Sequence, residues 1–345
     1  MKTSDFDYTL PEERIAQQPI EPRDASCLLV LRREDGTMEH LRFRDLPRYL
    51  QPGDLLVANE SRVIPARLYG RRAATGGAVE VLLLKRLDDR RWEALTRGRR
   101  IGRGLELAFG RPDGPALTAR VEEVRPDGTR VLAFAAEVEP QLEALGVVPL
   151  PPYIHEPLAD PERYQTIYAR VAGSVAAPTA GLHFTPHLIG DLQQQGVGFA
   201  FVVLHIGLDT FRPVEVEELE AHPMHAEWCR VPAEVAEAVL ETRRAGRRVI
   251  AVGTTAVRAL ETAARAGEEK GRPIAPFEGW TRLFIYSDYR FCAVDAMITN
   301  FHLPRSTLLM LVSAFAGRDR ILQAYREAME RGYRFYSFGD AMLIV

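Results

Sequence analysis

Two stretches of the chain concentrate small residues, hydroxyl groups and one histidine each. The first spans 173–185 and contains His183, and the second spans 299–307 and contains His302. Glycine and alanine allow a backbone to approach a bound molecule closely, while a few hydroxyl and imidazole groups fix its orientation. Because binding and catalytic residues concentrate on loops, we expect the functional site at these two stretches.

The turn Gly253–Thr255 is a third candidate, since it follows a predicted strand and opens a predicted helix. Its backbone N–H groups and two hydroxyls suit a carboxylate or a phosphate, but the same residues also form an ordinary helix cap. Asn300 and Ser306 occupy a similar position between a strand and an apolar helix. His205 ends a buried strand, where a structural imidazole and a functional one both fit the pattern. These alternatives stay open at the level of the sequence.

A metal site is not expected. His222, His225 and Glu227 come closest to a ligand set. Their spacing does not match the His-x-x-x-His pair of a zinc-binding helix, and Pro223 holds His222 extended. Orientation of a substrate or a loop is the favoured role. No Gly-x-Gly-x-x-Gly follows a predicted strand, and neither a Walker loop nor a Gly-x-Ser-x-Gly elbow occurs, which argues against dinucleotide, NTPase and α/β-hydrolase sites.

The hydrophobic pattern changes period along the chain and predicts two kinds of architecture. From about 63 to 136, short alternating segments are separated by turn signals, which is typical of a small antiparallel β-barrel. From about 164 onward, strands alternate with helices, which indicates a mostly parallel sheet flanked by helices. The N-terminal residues do not resemble the barrel. We therefore predict an α/β domain from 1–58 and 150–345, with a β-barrel domain inserted at 59–149.

Capping signals and apolar runs predict the individual elements that carry the loops. Thr185 is suited to cap a helix with Pro186 at its first position, ending near Gly196. Further helices are expected at 10–16, 233–244, 256–266, 307–316 and 320–331. Strands are expected at 27–31, 197–204, 248–252, 283–286, 293–298 and 333–338.

The composition is that of a globular protein with a sizeable core: 345 residues, 46% apolar and 26% charged. Its longest apolar runs are about ten residues, half of the roughly 20 that cross a bilayer, and the first residues lack the apolar segment of a secretion signal. We therefore expect a cytoplasmic protein without membrane segments. Cys27, Cys229 and Cys292 are scattered, so we expect buried thiols rather than a disulfide framework or a zinc ribbon.

Positive charge is concentrated in one segment, although the whole chain carries a net charge of −3. Between 62 and 103 there are 12 lysines and arginines and 4 acidic residues, so this segment carries +8 and the remainder −11. A local basic surface of this size suits a polyanionic partner such as a nucleic acid. The arginine-rich solvated surface of a heat-adapted protein is the alternative, and charge alone does not separate the two.

Several long motifs occur in one order along the whole chain. They are Tyr8-x-Leu10-Pro11, Gln51-Pro52-Gly53-Asp54, Arg62-Val63-Ile64-Pro65-Ala66-Arg67-Leu68, the stretch 173–185, His222-x-x-His225-x-Glu227, Val252-Gly253-Thr254-Thr255, the stretch 299–311, Tyr333-Arg334-Phe335 and Gly339-Asp340-Ala341-Met342. Together they resemble the S-adenosylmethionine:tRNA ribosyltransferase-isomerase family of queuosine biosynthesis. The chain departs from the family pattern at Cys27, Glu60, Asp209 and Ser287.

The resemblance implies that the ribosyl group of S-adenosylmethionine, rather than its methyl group, is transferred. The acceptor is the aminomethyl group of 7-aminomethyl-7-deazaguanine at the wobble position of a tRNA, and the products are epoxyqueuosine-tRNA, adenine and methionine. The resemblance also implies an α/β domain with a small inserted barrel. S-adenosylmethionine is then a cosubstrate, no prosthetic group is needed, and the tRNA anticodon arm is the macromolecular partner. We expect a monomer.

Side-chain chemistry divides the candidates for this activity into three groups. The acid–base group combines imidazoles that titrate near neutral pH with carboxylates that could orient them: His183, His205, His302, Asp209 and Asp295. The group expected to hold the ribose and methionine parts of the cosubstrate is Ser174, Thr179, Thr185, Thr210, Thr254, Thr255, Asn300 and Ser306. The group expected to bind tRNA phosphates is Arg62, Arg67, Arg97, Arg99 and Arg100.

Two other functions fit parts of the sequence. A non-catalytic RNA-binding protein would use the basic barrel and keep the α/β part as a scaffold, but it leaves the loops rich in hydroxyls and histidine unexplained. An RNA methyltransferase would share S-adenosylmethionine but would release S-adenosylhomocysteine. The products therefore separate the three functions.

Overall fold

The computed structural model of the chain describes residues 1–110, 116–207, 214 and 216–345. The chain divides into two compact units, of which the first contains residues 1–62, 151–171 and 177–345 and the second contains 63–150 and 172–176. The strands, in chain order, are β1 (Cys27–Leu31), β2 (Met38–Arg42), β3 (Leu55–Asn59), β4 (Ser61–Val63), β5 (Arg67–Arg72), β6 (Ala78–Arg86), β7 (Arg91–Arg97), β8 (Glu106–Gly110), β9 (Ala116–Val124), β10 (Arg130–Phe134), β11 (Gly146–Val147), β12 (Val171–Ser174), β13 (Gly198–Leu204), β14 (Glu227–Val231), β15 (Val249–Val252), β16 (Phe277–Thr281), β17 (Ala296–Asn300) and β18 (Ala341–Ile344). The α-helices are α1 (Glu139–Leu145), α2 (Pro186–Gln194), α3 (Ala233–Arg244), α4 (Thr254–Glu268), α5 (Thr307–Ala316) and α6 (Arg318–Glu330).

The first unit is organised by a large sheet. Over the described residues it has nine strands in the order β16-β14-β13-β3-β15-β17-β18-β1-β2. Four neighbouring pairs are parallel, namely β13/β3, β3/β15, β15/β17 and β18/β1. The other four pairs are antiparallel. The sheet is therefore mixed, because antiparallel strands extend both edges and β18 enters antiparallel to β17.

The centre of this sheet is buried on both faces. Every residue of β3, β15 and β17 is buried, which explains their continuous apolar runs in place of the alternation of a half-exposed strand. Helix α4 packs against this region with 12 of its 15 residues buried, and the apolar helix α5 has seven of its ten residues buried. A rigid centre therefore holds the carboxyl ends of these strands.

Local signals located several helices correctly. The Thr185 hydroxyl accepts a hydrogen bond from the Leu188 N–H at 3.1 Å, and Pro186 is the first residue of α2, as the capping signal predicts. Helices α3 and α5 begin and end at the predicted residues. These predictions are confirmed because caps and helical periodicity are local properties of the chain.

Two predicted strands, 283–286 and 333–338, are wrong. The nearby strands of the sheet are β16 and β18. β16 begins six residues before the expected start at 283, and β18 begins eight residues after the expected start at 333. Tyr336 has φ +70°, a left-handed conformation that no strand contains. Phe335 makes an isolated bridge with Ile15 and is completely buried, so its apolar character reflects packing in a turn. The predicted helix at 10–16 is limited to the short 3-10 helix Glu12–Arg14.

The second unit contains a closed antiparallel barrel. Within the described residues, six strands follow one another in the order β5-β6-β7-β10-β9-β8, and β8 pairs back with β5. Closure requires a close approach at Gly70, where a Cβ would lie 2.6 Å from the Ala108 carbonyl oxygen. The buried side chains of Leu117, Ala119 and Val121 alternate with exposed ones along β9, as the interior of a small barrel requires.

The predicted fold class is confirmed. A helix-flanked α/β sheet and a small antiparallel barrel are both present, and the barrel strands lie between elements of the large sheet along the chain. None of the helices in the described part of the chain combines the length and the apolar composition needed to cross a bilayer.

Candidate active site

A cleft lies in the first unit where parallel strands end. It encloses about 580 Å³ of space, part of it open to solvent, and it lies at the carboxyl ends of β15 and β17, the edge where open α/β sheets bind ligands. Ile206, which follows β13, also lines it. Six of the residues predicted from the sequence line this pocket: Thr179, Thr254, Thr255, Asn300, His302 and Ser306.

Asn300, the last residue of β17, connects three parts of the pocket wall. Its Oδ1 accepts a hydrogen bond from the Thr179 hydroxyl at 3.0 Å, and its Nδ2 donates to the Tyr336 carbonyl oxygen at 3.3 Å. Nδ2 also lies 3.4 Å from Nε2 of His183. The two stretches singled out in the sequence therefore meet at this amide.

His183 is buried and contacts the pocket through Asn300. Its Nδ1 lies 2.8 Å from the Ser26 hydroxyl, and its ring stacks on Phe43 with the centroids 5.0 Å apart. Burial, with contributions from the charges of nearby arginines, lowers the pKa of His183 to about 3. The neutral ring accepts the Asn300 amide at Nε2, so the hydrogen-bond pattern assigns the proton to Nδ1. His183 therefore fixes the orientation of Asn300.

His302 is the imidazole in the pocket wall. Its backbone N–H donates to the Tyr325 hydroxyl at 2.9 Å, and its Nε2 lies 2.7 Å from the Thr299 hydroxyl oxygen. Nδ1 has no hydrogen-bond partner in the part of the chain that the structure describes. Burial lowers the pKa of His302 to about 3, so the ring is neutral at pH 7. One nitrogen is held by the protein and the other is available to a ligand.

His205 lies next to the pocket but does not line it. Its ring stacks on Trp228, with the centroids 5.2 Å apart, and its Nδ1 is buried without a partner among the described residues. Burial, with a contribution from the charge of Arg230, lowers the pKa of His205 to about 4. The neighbouring residue, Ile206, supplies the pocket contact.

Two helices begin at the pocket with different caps. Ser306 precedes α5, and its hydroxyl accepts the Leu309 N–H at 3.2 Å. Gly253 precedes α4 with φ +89° and has no side chain to cap the helix. The Thr255 hydroxyl, in the first turn of α4, is buried without a hydrogen-bond partner within the described residues. Only the start of α5 is therefore capped by its own chain.

Two predicted substrate residues lie away from the pocket. The Thr185 hydroxyl caps α2 and donates to Asp24 Oδ2 at 3.1 Å. Ser174 is buried in β12 and belongs to the second unit, where its carbonyl oxygen accepts the Ile64 N–H at 2.9 Å. Asp209 and Thr210 lie outside the described residues.

Asp295 lies at the opposite end of β17 from Asn300. At the usual rise per residue the five-residue strand separates them by about 16 Å. The Asp295 carboxylate accepts hydrogen bonds from the Arg243 side chain at 3.1 Å and from the Val249 N–H at 2.8 Å. These bonds join the beginnings of neighbouring strands, far from the pocket.

The predicted tRNA-binding arginines differ in their partners. Arg62 pairs with Glu162, both in the first unit, and Arg67 lies 3.3 Å from Glu80 in the barrel. Three others in the second unit are exposed and have no acidic partner within the described residues: Arg97, Arg99 and Arg100.

Sequence reasoning missed the aromatic part of the pocket wall. Tyr153 and Tyr336 line the cleft with ring centroids 4.8 Å apart, and the Tyr153 hydroxyl lies 2.7 Å from the Ser337 hydroxyl. Tyr336 adopts a positive φ, which is uncommon for a bulky residue and often marks a functional site. No periodic pattern in the sequence predicts such a contact.

Within the His222-x-x-His225-x-Glu227 motif, Glu227 contacts α4 and the residue that follows Ile206. The carboxylate of Glu227 forms a buried ion pair with Arg258 of α4, and its Oε1 accepts the Gly207 N–H at 3.0 Å. Over the described ranges, no group of three or more His, Cys, Asp or Glu side chains is placed to hold a metal ion.

A family model described as queuosine biosynthesis protein matches residues 3–344. The chain belongs to this family. A relative from Moorella thermoacetica is 59% identical and one from Symbiobacterium thermophilum is 58% identical, each over the full length of both chains. Both are named S-adenosylmethionine:tRNA ribosyltransferase-isomerase. A crystal structure of S-adenosylmethionine tRNA ribosyltransferase from Thermotoga maritima is 45% identical, with a TM-score of 0.58, and the match covers 99% of this chain and 100% of that one.

In this member of the queuosine biosynthesis protein family, the pocket presents neutral polar groups rather than charges. Among the described residues, no Arg, Lys, Asp or Glu lines it. Its titratable groups are His302, which is neutral, and the phenols of Tyr153 and Tyr336. Burial raises the pKa of both phenols, to about 12 for Tyr336. Such a lining provides one proton acceptor and two donors and does not repel a cationic substrate.

Proposed function

We propose that the chain transfers and isomerises the ribosyl group of S-adenosylmethionine onto 7-aminomethyl-7-deazaguanine at the wobble position of a tRNA. The products are epoxyqueuosine-tRNA, adenine and methionine. The observation that carries the proposal is the uncharged pocket of hydroxyls, an amide and an imidazole, in a chain 58–59% identical to relatives named for this reaction. Since the proposed substrate is a tRNA, we place the activity in the cytoplasm.

The cosubstrate itself supplies much of the activation. Its sulfonium acidifies the adjacent C5′ of the ribose and later leaves as methionine, so the protein needs an acceptor for protons, a donor near the purine and correct positioning. We assign proton acceptance to Nδ1 of His302, which is unoccupied by other described residues. We assign hydrogen-bond donation to departing adenine to the phenols of Tyr153 and Tyr336, which their raised pKa values keep protonated.

Two further groups position the substrate. His183 holds the Asn300 amide, and Asn300 in turn holds Thr179 and the Tyr336 carbonyl. We therefore assign His183 as a positioning residue rather than an acid or base.

We infer that Thr185 and Asp295 stabilise the fold, because each is engaged in bonds remote from the pocket. Catalytic roles for His205 and Asp209, and substrate contacts for Ser174 and Thr210, stay predictions.

We propose that the barrel binds the tRNA backbone. Arg97, Arg99 and Arg100 support this assignment, because an exposed guanidinium without an acidic partner is free to neutralise a phosphate. Arg62 and Arg67 are expected to contribute less, since each already has a carboxylate partner.

The products test the function. The full chain is incubated with S-adenosylmethionine and a tRNA carrying 7-aminomethyl-7-deazaguanine, and adenine, methionine and S-adenosylhomocysteine are quantified. We expect adenine and methionine in equal amounts. Release of S-adenosylhomocysteine would show methyl transfer instead, and tRNA binding without either product would show an RNA-binding protein. A tRNA with unmodified guanine at the wobble position is the matched control and should yield no adenine.

A further inference from the structure

The first turn of α4 has hydrogen-bond donors that its own chain does not satisfy. Among the described residues, the backbone N–H groups of Thr254, Thr255 and Ala256 have no acceptor, since the helix offers none to its first residues. The neighbouring helix α5 differs, because Ser306 provides the acceptor that Gly253 cannot. The two helix starts face the same pocket. Within the described residues, the side-chain cap leaves two N–H groups of α5 without an acceptor, those of Thr307 and Leu308, whereas the uncapped α4 leaves three.

A second observation points to a ligand at the same place. Thr255 is 8% exposed and lines the pocket, and its hydroxyl has no partner within the described ranges. A buried hydroxyl without a partner is unfavourable, so a ligand that supplies the partner is stabilised. A Cβ at position 253 would lie 3.7 Å from this hydroxyl and 3.4 Å from the Ala180 side chain, so glycine keeps the space in front of the helix open.

The missing acceptor should be an anion. The N-terminus of a 15-residue helix carries positive partial charge, which attracts an anion and repels a cation. S-adenosylmethionine has one anionic group at neutral pH, the carboxylate of its methionine part, besides a cationic sulfonium and a cationic ammonium. No Arg or Lys among the described residues lines the pocket, so the helix starts are the parts of the lining that suit this carboxylate. The start of α4 suits it better, because it has no side-chain cap and adds the unpaired Thr255 hydroxyl.

We propose that the N–H groups of Thr254, Thr255 and Ala256, with the Thr255 hydroxyl, bind the carboxylate of S-adenosylmethionine. This inference rests on the proposed function. It assigns the methionine end of the cosubstrate to α4 and makes Thr255 a specificity-determining residue that distinguishes S-adenosylmethionine from sulfonium compounds without the carboxylate. A phosphate of the tRNA is the other anion available to such a site.

The test compares S-adenosylmethionine with its decarboxylated analogue, by equilibrium dialysis with and without the precursor tRNA. The wild-type chain should bind S-adenosylmethionine at least about tenfold more tightly than the decarboxylated analogue, because the analogue cannot accept the charge-assisted hydrogen bonds of the helix start. Thr255→Val should reduce this ratio about threefold or more, because it removes the hydroxyl at nearly constant volume. Thr255→Ser should retain the ratio. Since the hydroxyl is unpaired, its loss should leave the fold intact.

Thr262→Val is the matched control on the same helix. The Thr262 hydroxyl is already bonded to the Arg258 carbonyl oxygen and the Thr281 hydroxyl, at 2.7 and 2.8 Å, and does not line the pocket. Its loss should leave the ratio unchanged.

Three outcomes would overturn the inference. In the first, the wild type binds S-adenosylmethionine and its decarboxylated analogue equally well, or binds neither. In the second, the ratio of the two affinities is the same in Thr255→Val as in the wild type. The third is a preference that disappears when tRNA is added, which would assign the helix start to a phosphate. Failure of the proposed function is a separate result: no adenine would be released, whatever the ratio.

Discussion

The pocket of the first unit and the surface of the barrel differ in charge: the pocket is lined by neutral groups, and the barrel surface carries exposed arginines. The pocket has no charged side chain in its described lining, and burial keeps His183 and His302 neutral. The barrel instead exposes arginines, such as Arg97 and Arg99, that have no acidic partner in the described part of the chain. Desolvated dipoles and neutral imidazoles suit a small cationic reactant, whereas solvated charges suit a long polyanion. The difference predicts that changes in the two regions affect different measurements.

The largest effect is expected at the pocket. His302→Gln removes the proton acceptor while keeping a polar side chain, and we expect kcat for adenine release to fall about 10²–10⁴-fold, with unchanged tRNA affinity. His205→Gln is the comparison. His205 does not line the pocket, so we expect kcat to fall less than tenfold, a result that would contradict the catalytic role predicted for it from the sequence. An equal loss in both variants would place the proton acceptor elsewhere.

Neutralising the barrel should affect binding instead. In the triple variant Arg97→Ala, Arg99→Ala and Arg100→Ala, the slope of log affinity for tRNA against log salt should decrease by about 2–3, since each phosphate contact contributes about 0.7–0.9. The turnover of bound tRNA should remain unchanged. Arg86→Ala with Arg91→Ala is the control, because these arginines pair with Asp89 and Asp88. If the control alters the slope as much, the unpaired arginines have no special role.

The buried histidines make stability depend on pH in a definite direction. The folded-state pKa of His302, about 3, is below the ordinary value near 6.5, so below pH 6.5 the unfolded chain binds a proton that the folded chain does not. Stability from this group is complete above pH 6.5 and declines as the pH falls toward 3. Between pH 7 and 5 each such histidine should cost about 2 kcal/mol.

The measurement is the free energy of unfolding of the wild type and of His302→Gln at pH 7 and pH 5. The loss on acidification should be about 2 kcal/mol smaller in the variant. Burial raises the pKa values of the Glu261 and Asp340 carboxyl groups, which has the opposite effect, but this contribution is common to both proteins and cancels. Equal losses in the two proteins would mean that His302 is accessible to solvent protons.

The smallest effect is expected at a residue that the sequence assigned to substrate. Thr185→Ala should lower the free energy of unfolding by about 1 kcal/mol through loss of the α2 cap, with KM for S-adenosylmethionine unchanged. Ser306→Ala removes the corresponding cap of α5, but inside the pocket, so there KM should rise as well. A raised KM for S-adenosylmethionine in Thr185→Ala would show instead that Thr185 contributes to substrate binding, as the sequence predicts.

Properties that depend on neighbouring residues were predictable. The cap at Thr185, the bounds of α3 and α5 and the barrel strands follow from side-chain periodicity and turn residues, which act over a few positions. The positions of Thr179 and Asn300 in the pocket wall also follow from the sequence, because loops next to strand ends have a recognisable composition. Their contact with substrate stays a prediction. The strand predicted at 333–338 failed because apolar residues packed in a turn have the same composition as a buried strand.

The sequence by itself determined the composition of the candidate loops, the two architectures and the family resemblance. Each of these depends on residues that are close to one another along the chain. Only the tertiary structure decided which histidine faces the pocket, that Asp295 lies at the far end of its strand, and that Tyr153 joins Tyr336 across the cleft. It also decided which arginines are paired. The physical reason is that burial and pairing depend on residues distant in sequence, and these set the charge state of an imidazole and the availability of a guanidinium.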